Sequence, residues 1–394
     1  MSTTTYVPNI NVGTVQLKNV YETTDLITQA GSIAPFTSNS SVINQWFNKN
    51  VNTIAVTPGV PPYWAVASSL SYATTGTAQG GGAYQGGVLL PDGRVIFVPY
   101  NAQNVGIFNP ATNSFTTSGA ITIGTGAGAG AFNGGALLPD GRVIFAPANA
   151  VGIGIYNPVT NAFTTTGTTP GSLAYFGAVV LPDGRVALVP ESSTGVGLYN
   201  PATNSYTTTS ITPVLYAYSG GVLTQDGRVV FVPAYIAAIG IFNPVTNSYT
   251  TTGTISGTGT GAGAYAGGVL VPDGRVIFVP ASATTIGIFN PASNTYTTTG
   301  TTGGGYAYVG GVLTSDGRVL FVSCNATNFG LFNPVTNSFA TFGTTAGGTA
   351  FSGGVSLPDG RVVLVPYNST SVGILTGFPP ASPDMCVHPF FNKF

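Results

Sequence analysis

Apolar residues in this chain come in short bursts, each closed by turn-forming residues, and the same four bursts recur in a fixed order. One copy, Ala266–Thr301, reads AGGVLVPDGRVIFVPASATTIGIFNPASNTYTTTGT. Its segments GGVLV, RVIFVP, IGIFNP and NTYTTT are short and rich in β-branched and aromatic residues, so each predicts a strand. Pro-Asp-Gly joins the first two as a tight hairpin, with Gly supplying the positive φ. Asn-Pro-x-Thr/Ser-Asn joins the last two, because Pro presets φ and Asn tolerates the left-handed conformation.

The Asp of the Asp-Gly hairpin falls at 92, 140, 183, 226, 273, 316 and 359. The interval is therefore about 43–48 residues with four strands in each, the dimensions of a propeller blade and longer than a solenoid repeat. The expected fold is all-β, a seven-bladed β-propeller of four-stranded blades. The seventh unit breaks the pattern: after SVGILTGF comes FPPASPD, with no fourth strand. A matching piece, Ser69–Thr77 (SLSYATTGT), precedes the first unit. That N-terminal strand is expected to complete the last blade and close the ring, which removes the open edge between first and last blades.

These residues resemble kelch-type repeats. The glycine pair heading the first strand, the DGRV hairpin and the (F/Y)NPxTNS(F/Y) turn are similar to the galactose-oxidase-like subset, over about Tyr63–Phe378. In place of the family's Trp after the last turn stand Phe115, Phe163, Tyr206, Tyr249, Tyr296 and Phe339, and Val98-Pro99 and its equivalents replace the glycine pair ending the second strand. The resemblance implies the propeller. It implies no single function, because the family spans oxidases and adaptor modules.

Outside the repeats lie an N-terminal extension, residues 1–62, with a helix-compatible piece at Val42–Lys49, and an aromatic tail, residues 379–394. Both are non-repetitive and are expected to serve as assembly or docking arms, with Phe390, Phe391 and Phe394 filling a partner's apolar groove. The alternative is that the tail packs on its own propeller.

Charge narrows the function. The 394 residues include 10 Lys+Arg and 11 Asp+Glu, a net charge of −1 and 5% charged residues, against about 25% in an average domain. A nucleic-acid partner is excluded for want of cations to displace phosphate counterions. No apolar run approaches the ~18–20 residues of a spanning helix, so membrane insertion is not expected. The N-terminus has neither basic region nor apolar core, which predicts no secretory leader.

Every arginine follows Asp-Gly, giving the pairs Asp92/Arg94, Asp140/Arg142, Asp183/Arg185, Asp226/Arg228, Asp273/Arg275, Asp316/Arg318 and Asp359/Arg361. Equal numbers of opposite charges at every blade favour a structural ring over an anion site. Few residues remain for chemistry. The copper site of the oxidase branch needs Tyr and His ligands, and the one His, His388, sits in the tail. A glycosidase needs two facing carboxylates, and Glu191 is the one repeat-region acid outside the hairpins. Cys324 and Cys386 form no framework; they either bridge through a folded-back tail or stay free thiols. The glycine run Gly124–Gly130 lacks the Lys of a phosphate loop and reads as a linker. No cofactor or metal is expected, and the chain is read as non-enzymatic.

Within one chain, repeats that agree mark scaffold and loops that diverge mark specialisation. The hairpin and Asn-Pro turns share one face and are nearly invariant. The second-to-third and fourth-to-first connections share the other face and vary, so any ligand is placed there. Tyr100, Asn101, Glu191, Tyr235, Asn325, Tyr367 and Asn368 are the candidates, as Tyr and Asn suit sugar or protein contacts. Asn325 and Asn368 also begin Asn-x-Ser/Thr sequons, as does Asn39. The reading that follows is a structural or binding propeller, part of a larger assembly such as a virion surface or extracellular fibre, since near-zero net charge favours association. Its partners would be proteins or further copies of itself. The alternative is a soluble module that binds a glycan or protein through the divergent face.

Overall fold

The computed structural model describes residues 70–121, 130–210, 215–255, 263–345 and 347–381, and the backbone of four short N-terminal strands. The chain divides into two units. In the first, Thr5–Val7 pairs antiparallel with Val20–Glu22, and Ile10–Val12 with Val15–Leu17. The second, from Leu70 to Ala381, is the propeller.

Each repeat folds as one antiparallel sheet with its strands in sequence order. In the first blade they are Tyr84–Leu89, Val95–Pro99, Gly106–Asn109 and Ser114–Thr117. The second strands are buried at every position in all seven blades, and so they read in sequence as unbroken apolar runs rather than alternations. The outer strands alternate, with one aromatic turned inward among exposed Thr and Ser.

The last blade comprises Phe351–Ser356, Val362–Pro366, Val372–Thr376 and then Ser71–Thr75. Val372 faces Thr75 and Thr376 faces Ser71, and the Ser71 and Thr376 hydroxyls lie 2.7 Å apart. The seven-bladed ring and its closing strand are as the repeat pattern predicts; Ser69 lies outside the described residues. Among the described residues there is no helix, hence none long and apolar enough to cross a membrane.

Apolar burial is distributed over seven interfaces between neighbouring blades. Val88, Ile96 and Ile107 of the first blade pack on Phe132, Phe145 and Tyr156 of the second. Val363, Val365 and Ile374 of the seventh pack on Tyr84, Phe97 and Phe108 of the first. At about 2–3 kcal/mol for each fully buried large side chain, every blade depends on both neighbours. The aromatic at the head of the inner strand meets the outer strand's aromatic. Where both are Tyr, their hydroxyls bond, at 2.5 Å for Tyr175–Tyr206 and 2.6 Å for Tyr265–Tyr296.

The glycine doublets let seven strands converge. Each inner strand carries a bulge, seen as a register shift such as that between Tyr84 and Gly87. The first glycine of the doublet has positive φ, and a Cβ on Gly86 would stand 2.8 Å from the Cα of Gly134 in the next blade. A Cβ on Gly310 would stand 3.0 Å from Gly353 in the same way. At these two positions a side chain would crowd the neighbouring backbone, and the positive φ there also favours glycine.

On the hairpin face, each Asp Oδ1 accepts its Arg backbone N–H and each Oδ2 pairs with the guanidinium, at 2.5–2.7 Å. The guanidinium then reaches the next blade's Asn-Pro turn. Arg185 donates to the Pro244 carbonyl at 2.8 Å, Arg228 to Pro291 at 2.9 Å and Arg361 to Pro110 at 2.9 Å. Arg275, like Arg361, goes beyond the simple pairing that equal charges suggest. Besides its 2.6 Å ion pair with Asp273, it donates through Nη2 to the Pro334 carbonyl and through Nη1 to Asn337 Oδ1, at 2.5 and 3.2 Å. One guanidinium thus holds its own hairpin and both ends of the neighbouring turn, because its fork of donors exceeds what a single carboxylate can accept. Where the seventh blade lacks that turn, Arg318 lies over the Phe378 ring, 5.7 Å from its centroid. The second Asn of each turn is left-handed, with φ of 53–58° at Asn113, Asn161, Asn204, Asn247, Asn294 and Asn337.

Candidate functional site

Where the second strand ends, each blade sets one residue at the mouth of the central channel: Tyr100, Ala148, Glu191, Ala234, Ala281, Cys324 and Tyr367. Their carbonyls do one job, accepting an N–H from the next blade: Ala131 N to Tyr100 O at 2.8 Å, Ala217 N to Glu191 O at 2.7 Å and Ala83 N to Tyr367 O at 2.9 Å. Because the backbone makes the contact, the side chain is free to differ.

A second ring precedes that conserved alanine: Gly82, Gly130, Leu173, Tyr216, Gly263, Tyr306 and Thr349, all at φ of 54–72°. Glycine takes this conformation freely, whereas a bulky residue pays roughly 1–3 kcal/mol. Three blades use glycine and four do not. The reason lies in the space above. Tyr367 covers Gly82, where an added Cβ would stand 3.2 Å from the ring, and Tyr100 covers Gly130 at 2.9 Å. Tyr306 of the neighbouring blade covers Gly263, at 2.5 Å from its hydroxyl. Tyr216 and Tyr306 fill the rim from the strained positions themselves.

The result is an aromatic cavity of about 450 Å³ at the channel mouth. Tyr216 and Tyr235 have ring centroids 5.5 Å apart, and the Tyr235 and Tyr306 hydroxyls are 2.9 Å apart. Tyr100 and Tyr367 form a second pair at 5.8 Å. The floor is built from the bulged residues before each glycine doublet, which include Gln85, Phe176, Ser219 and Val309. A smaller cavity of about 170 Å³ lies among the doublets.

Glu191 is the carboxyl group in this wall, 8% exposed. Among the described residues its one side-chain hydrogen bond is from the Asn133 amide Nδ2, at 3.4 Å. Burial raises its pKa from 4.5 to about 8, an effect the Asn133 contact opposes, so at neutral pH it is a neutral acid able to donate a proton. Burial, then Tyr367 and Glu191, pushes Tyr100 up; burial and the Tyr235 hydroxyl push Tyr306 to about 12. Cys324 is a buried free thiol, its Sγ 3.4 Å from Thr349 Oγ1.

Of the sequence candidates, Glu191, Tyr235, Asn325 and Tyr367 line the cavity together. Tyr100 packs against Tyr367, the rings tilted by 45°. The hairpin pairs, Asp273 and Arg275 among them, line neither cavity. The Asn amides also hold loops: Asn101 Nδ2 donates to Gly81 O at 3.1 Å, Asn325 to Gly305 O at 3.0 Å and Asn368 to Gly348 O at 3.2 Å. Phe390, Phe391, Phe394, Cys386 and His388 lie outside the described residues, as do Asn39 and Val42–Lys49. Sequence reasoning passed over Tyr216, Tyr306, Phe176 and Asn133. Their signal is the divergence criterion itself, applied to the residues just before the invariant alanine and the glycine doublet. Among the described residues no three His, Cys, Asp or Glu side chains are grouped to hold a metal ion.

No protein-family model matches the chain, and no curated protein does. Among solved structures, it is similar to selenomethionine-substituted virginiamycin B lyase from Staphylococcus aureus, at 15% identity and a TM-score of 0.67, covering 78% of this chain and 99% of that one. A streptogramin B lyase matches at 15% identity and a TM-score of 0.65, covering 78% and 97%. The extracellular domain of a one-component system from B. thetaiotaomicron matches at 10% identity and 0.60, over 77% of this chain and 40% of that one. These likenesses establish the fold. The resemblance to kelch repeats narrows accordingly to the seven-bladed propeller, with no specific support for that family.

The expectation that the chain is not an enzyme is overturned, since propellers of this shape include lyases. That expectation counted acids and bases by type. Burial retunes a lone carboxyl such as Glu191, and composition does not register burial. What the comparisons establish about this chain is therefore a seven-bladed β-propeller fold, shared with both lyases and the extracellular domain of a one-component system.

Proposed function

We propose that the protein is a ligand-binding propeller that takes a small organic molecule, or a protruding group of a larger partner, into the tyrosine-lined cavity on its divergent face. The observation that carries this reading is the strained rim. Tyr216 and Tyr306 hold bulky side chains at φ of 57° and 59°, where three sister blades use glycine, and both remain about 40% exposed. Strain of this kind collects at functional sites. A volume near 450 Å³ also falls within the usual range of small-molecule sites, about 300–1,000 Å³. Sugars would stack on the same rings, so a glycan terminus is one of the groups this reading admits. The assembly reading draws on residues 1–62 and 379–394 and gains no support from the cavity.

The test is a fragment screen by ligand-observed NMR on the full chain and on an Ala266→Phe/Ser352→Phe variant. Blade three already carries Phe176 at the equivalent position, so the filled variant is expected to fold and melt like the parent. Fragments that bind the parent and are lost on filling support the reading. Fragments bound equally by both, or none bound by the parent, defeat it.

A further inference from the structure

Glu191 is 8% exposed and, among the described residues, stands in no ion pair. The seven arginines of the chain are all engaged by their own hairpin aspartates. Among the described residues, Asn133 is the one side chain hydrogen-bonded to Glu191; it is itself 2% exposed, and its Oδ1 has no partner there. A buried carboxyl with an incomplete polar shell and no cation is a costly arrangement, and buried polar groups left short of partners call for an explanation.

The wall around it supplies one. Tyr216, Tyr235, Tyr306, Tyr367 and Phe176 share the cavity with Glu191, and the faces of aromatic rings carry the negative part of their quadrupole. Rings and carboxyl therefore favour the same charge on a guest, and no arginine stands in the cavity wall to counter it.

We infer that the cavity recognises an organic cation, an amine or quaternary ammonium group whose charge sits against Glu191 while its carbon substituents pack among the tyrosine rings. This inference rests on the binding role proposed above and names its ligand class. Anionic guests are excluded by the same field, and neutral guests forgo the ionic component.

Binding is then coupled to a proton. A cation favours ionised Glu191, so at neutral pH its arrival expels the carboxyl proton to solvent, and affinity climbs as pH rises. The titratable groups facing Glu191 across the cavity are tyrosines and Cys324. Tyr100, Tyr218, Tyr265, Tyr306 and Tyr367 are all pushed up, with burial the leading cause in each, so they stay neutral over that range.

The experiment uses the full chain and two isosteric probes, choline and its uncharged carbon analogue 3,3-dimethylbutan-1-ol, followed by calorimetric titration from about pH 6 to 9. The expected result is a preference for choline of about tenfold or more at the alkaline end, shrinking toward pH 6. Proton release on binding should appear as a dependence of the heat on buffer ionisation enthalpy. Glu191→Gln should keep only the smaller, pH-independent preference that the rings supply, with no proton release. Equal or stronger binding of the alcohol by the parent, a preference left undiminished by Glu191→Gln, or no binding of either probe overturns the cation assignment. The fragment screen reads separately: hits lost on cavity filling keep the binding role standing when choline fails. Because the pH series uses the unaltered chain, the assignment remains testable even if the Gln variant folds poorly.

Discussion

The two faces of the propeller are made from the same seven repeats and treat them in opposite ways. On the hairpin face every blade presents the same Asp-Gly-Arg and the first six present closely similar Asn-Pro turns, and side chains carry the contacts between neighbours, as when Arg228 reaches the Pro291 carbonyl. On the channel-mouth face the backbone carries the contact common to every blade, as when Ala217 N–H reaches the Glu191 carbonyl, and side chains such as Asn101, whose Oδ1 accepts Gly130 N–H, add to it only in some blades. Side chains that hold the ring together are locked into repetition. Side chains relieved of that duty diverge, and the divergent ones build the cavity. The contrast shows how a repeat protein can keep one fold and vary one site: binding duty sits where structural duty has been handed to the main chain.

The waist between the faces should be least tolerant of change. Gly86→Val places a Cβ near the Gly134 Cα at positive φ, and the strain and overpacking together cost about 3 kcal/mol or more. The expected outcome is loss of the cooperative thermal transition. A soluble variant with a parent-like melting curve would show that the inner strands can separate.

The faces should also answer pH in opposite senses. Glu191 binds its proton more tightly folded than unfolded, so its contribution is full below about 4.5 and is lost as pH rises toward 8, a decline on the order of a few kcal/mol. On the hairpin face, the Arg94 and Arg142 guanidinium groups hold Asp92 and Asp140 below the usual carboxylate range. Their contribution is present above the unfolded carboxylate pKa and lost as pH falls through the folded values. These pairs are exposed, so that acid effect is small and screened by salt. Denaturant midpoints across pH should show the alkaline decline vanish in Glu191→Gln while the acid limb stays.

The smallest effects sharpen the comparison most. Arg228→Ala removes a contact to the next blade and should cost about 1–2 kcal/mol, leaving fragment binding unchanged. Tyr216→Gly relieves a left-handed tyrosine, and the relief offsets the extra unfolded-state entropy of glycine to within about 1 kcal/mol. That variant should melt close to the parent and lose affinity for cavity ligands. If Tyr216→Gly destabilises more than Arg228→Ala, the division of labour between the faces is wrong.

The ring was legible because its determinants are local. Asp-Gly and Asn-Pro-x-Thr-Asn name their turns, the spacing sets the blade, and the missing last strand reappears beside Tyr72. Glu191, Tyr235 and Tyr367 were also within reach, since loop divergence flags them. The floor of the cavity was not. Phe176 and Gln85 sit on strands, and the bulge that turns them to the channel arises from crowding of seven backbones at the glycine doublets, a many-body effect that no single repeat announces. Nor does a sequence reveal that Asn101 and Asn368 use their amides on neighbouring loops, or that Arg275 spans to Asn337 in the next blade. Divergence marks freedom to vary, and geometry decides which of the freed side chains face a guest.

The strand Ser71–Thr75 is made before the first blade yet has no partner until the last is complete, its Ser71 hydroxyl meeting Thr376 across 305 residues of chain. During synthesis the growing polypeptide therefore carries its latch from the outset and cannot fasten it until nearly all of the propeller has left the ribosome. Any product cut short leaves that strand unpaired and the apolar faces of the first and last blades uncovered, open to proteases and chaperones. Placement of the latch thus works as a length check, marking the finished chain as the species whose ring is closed.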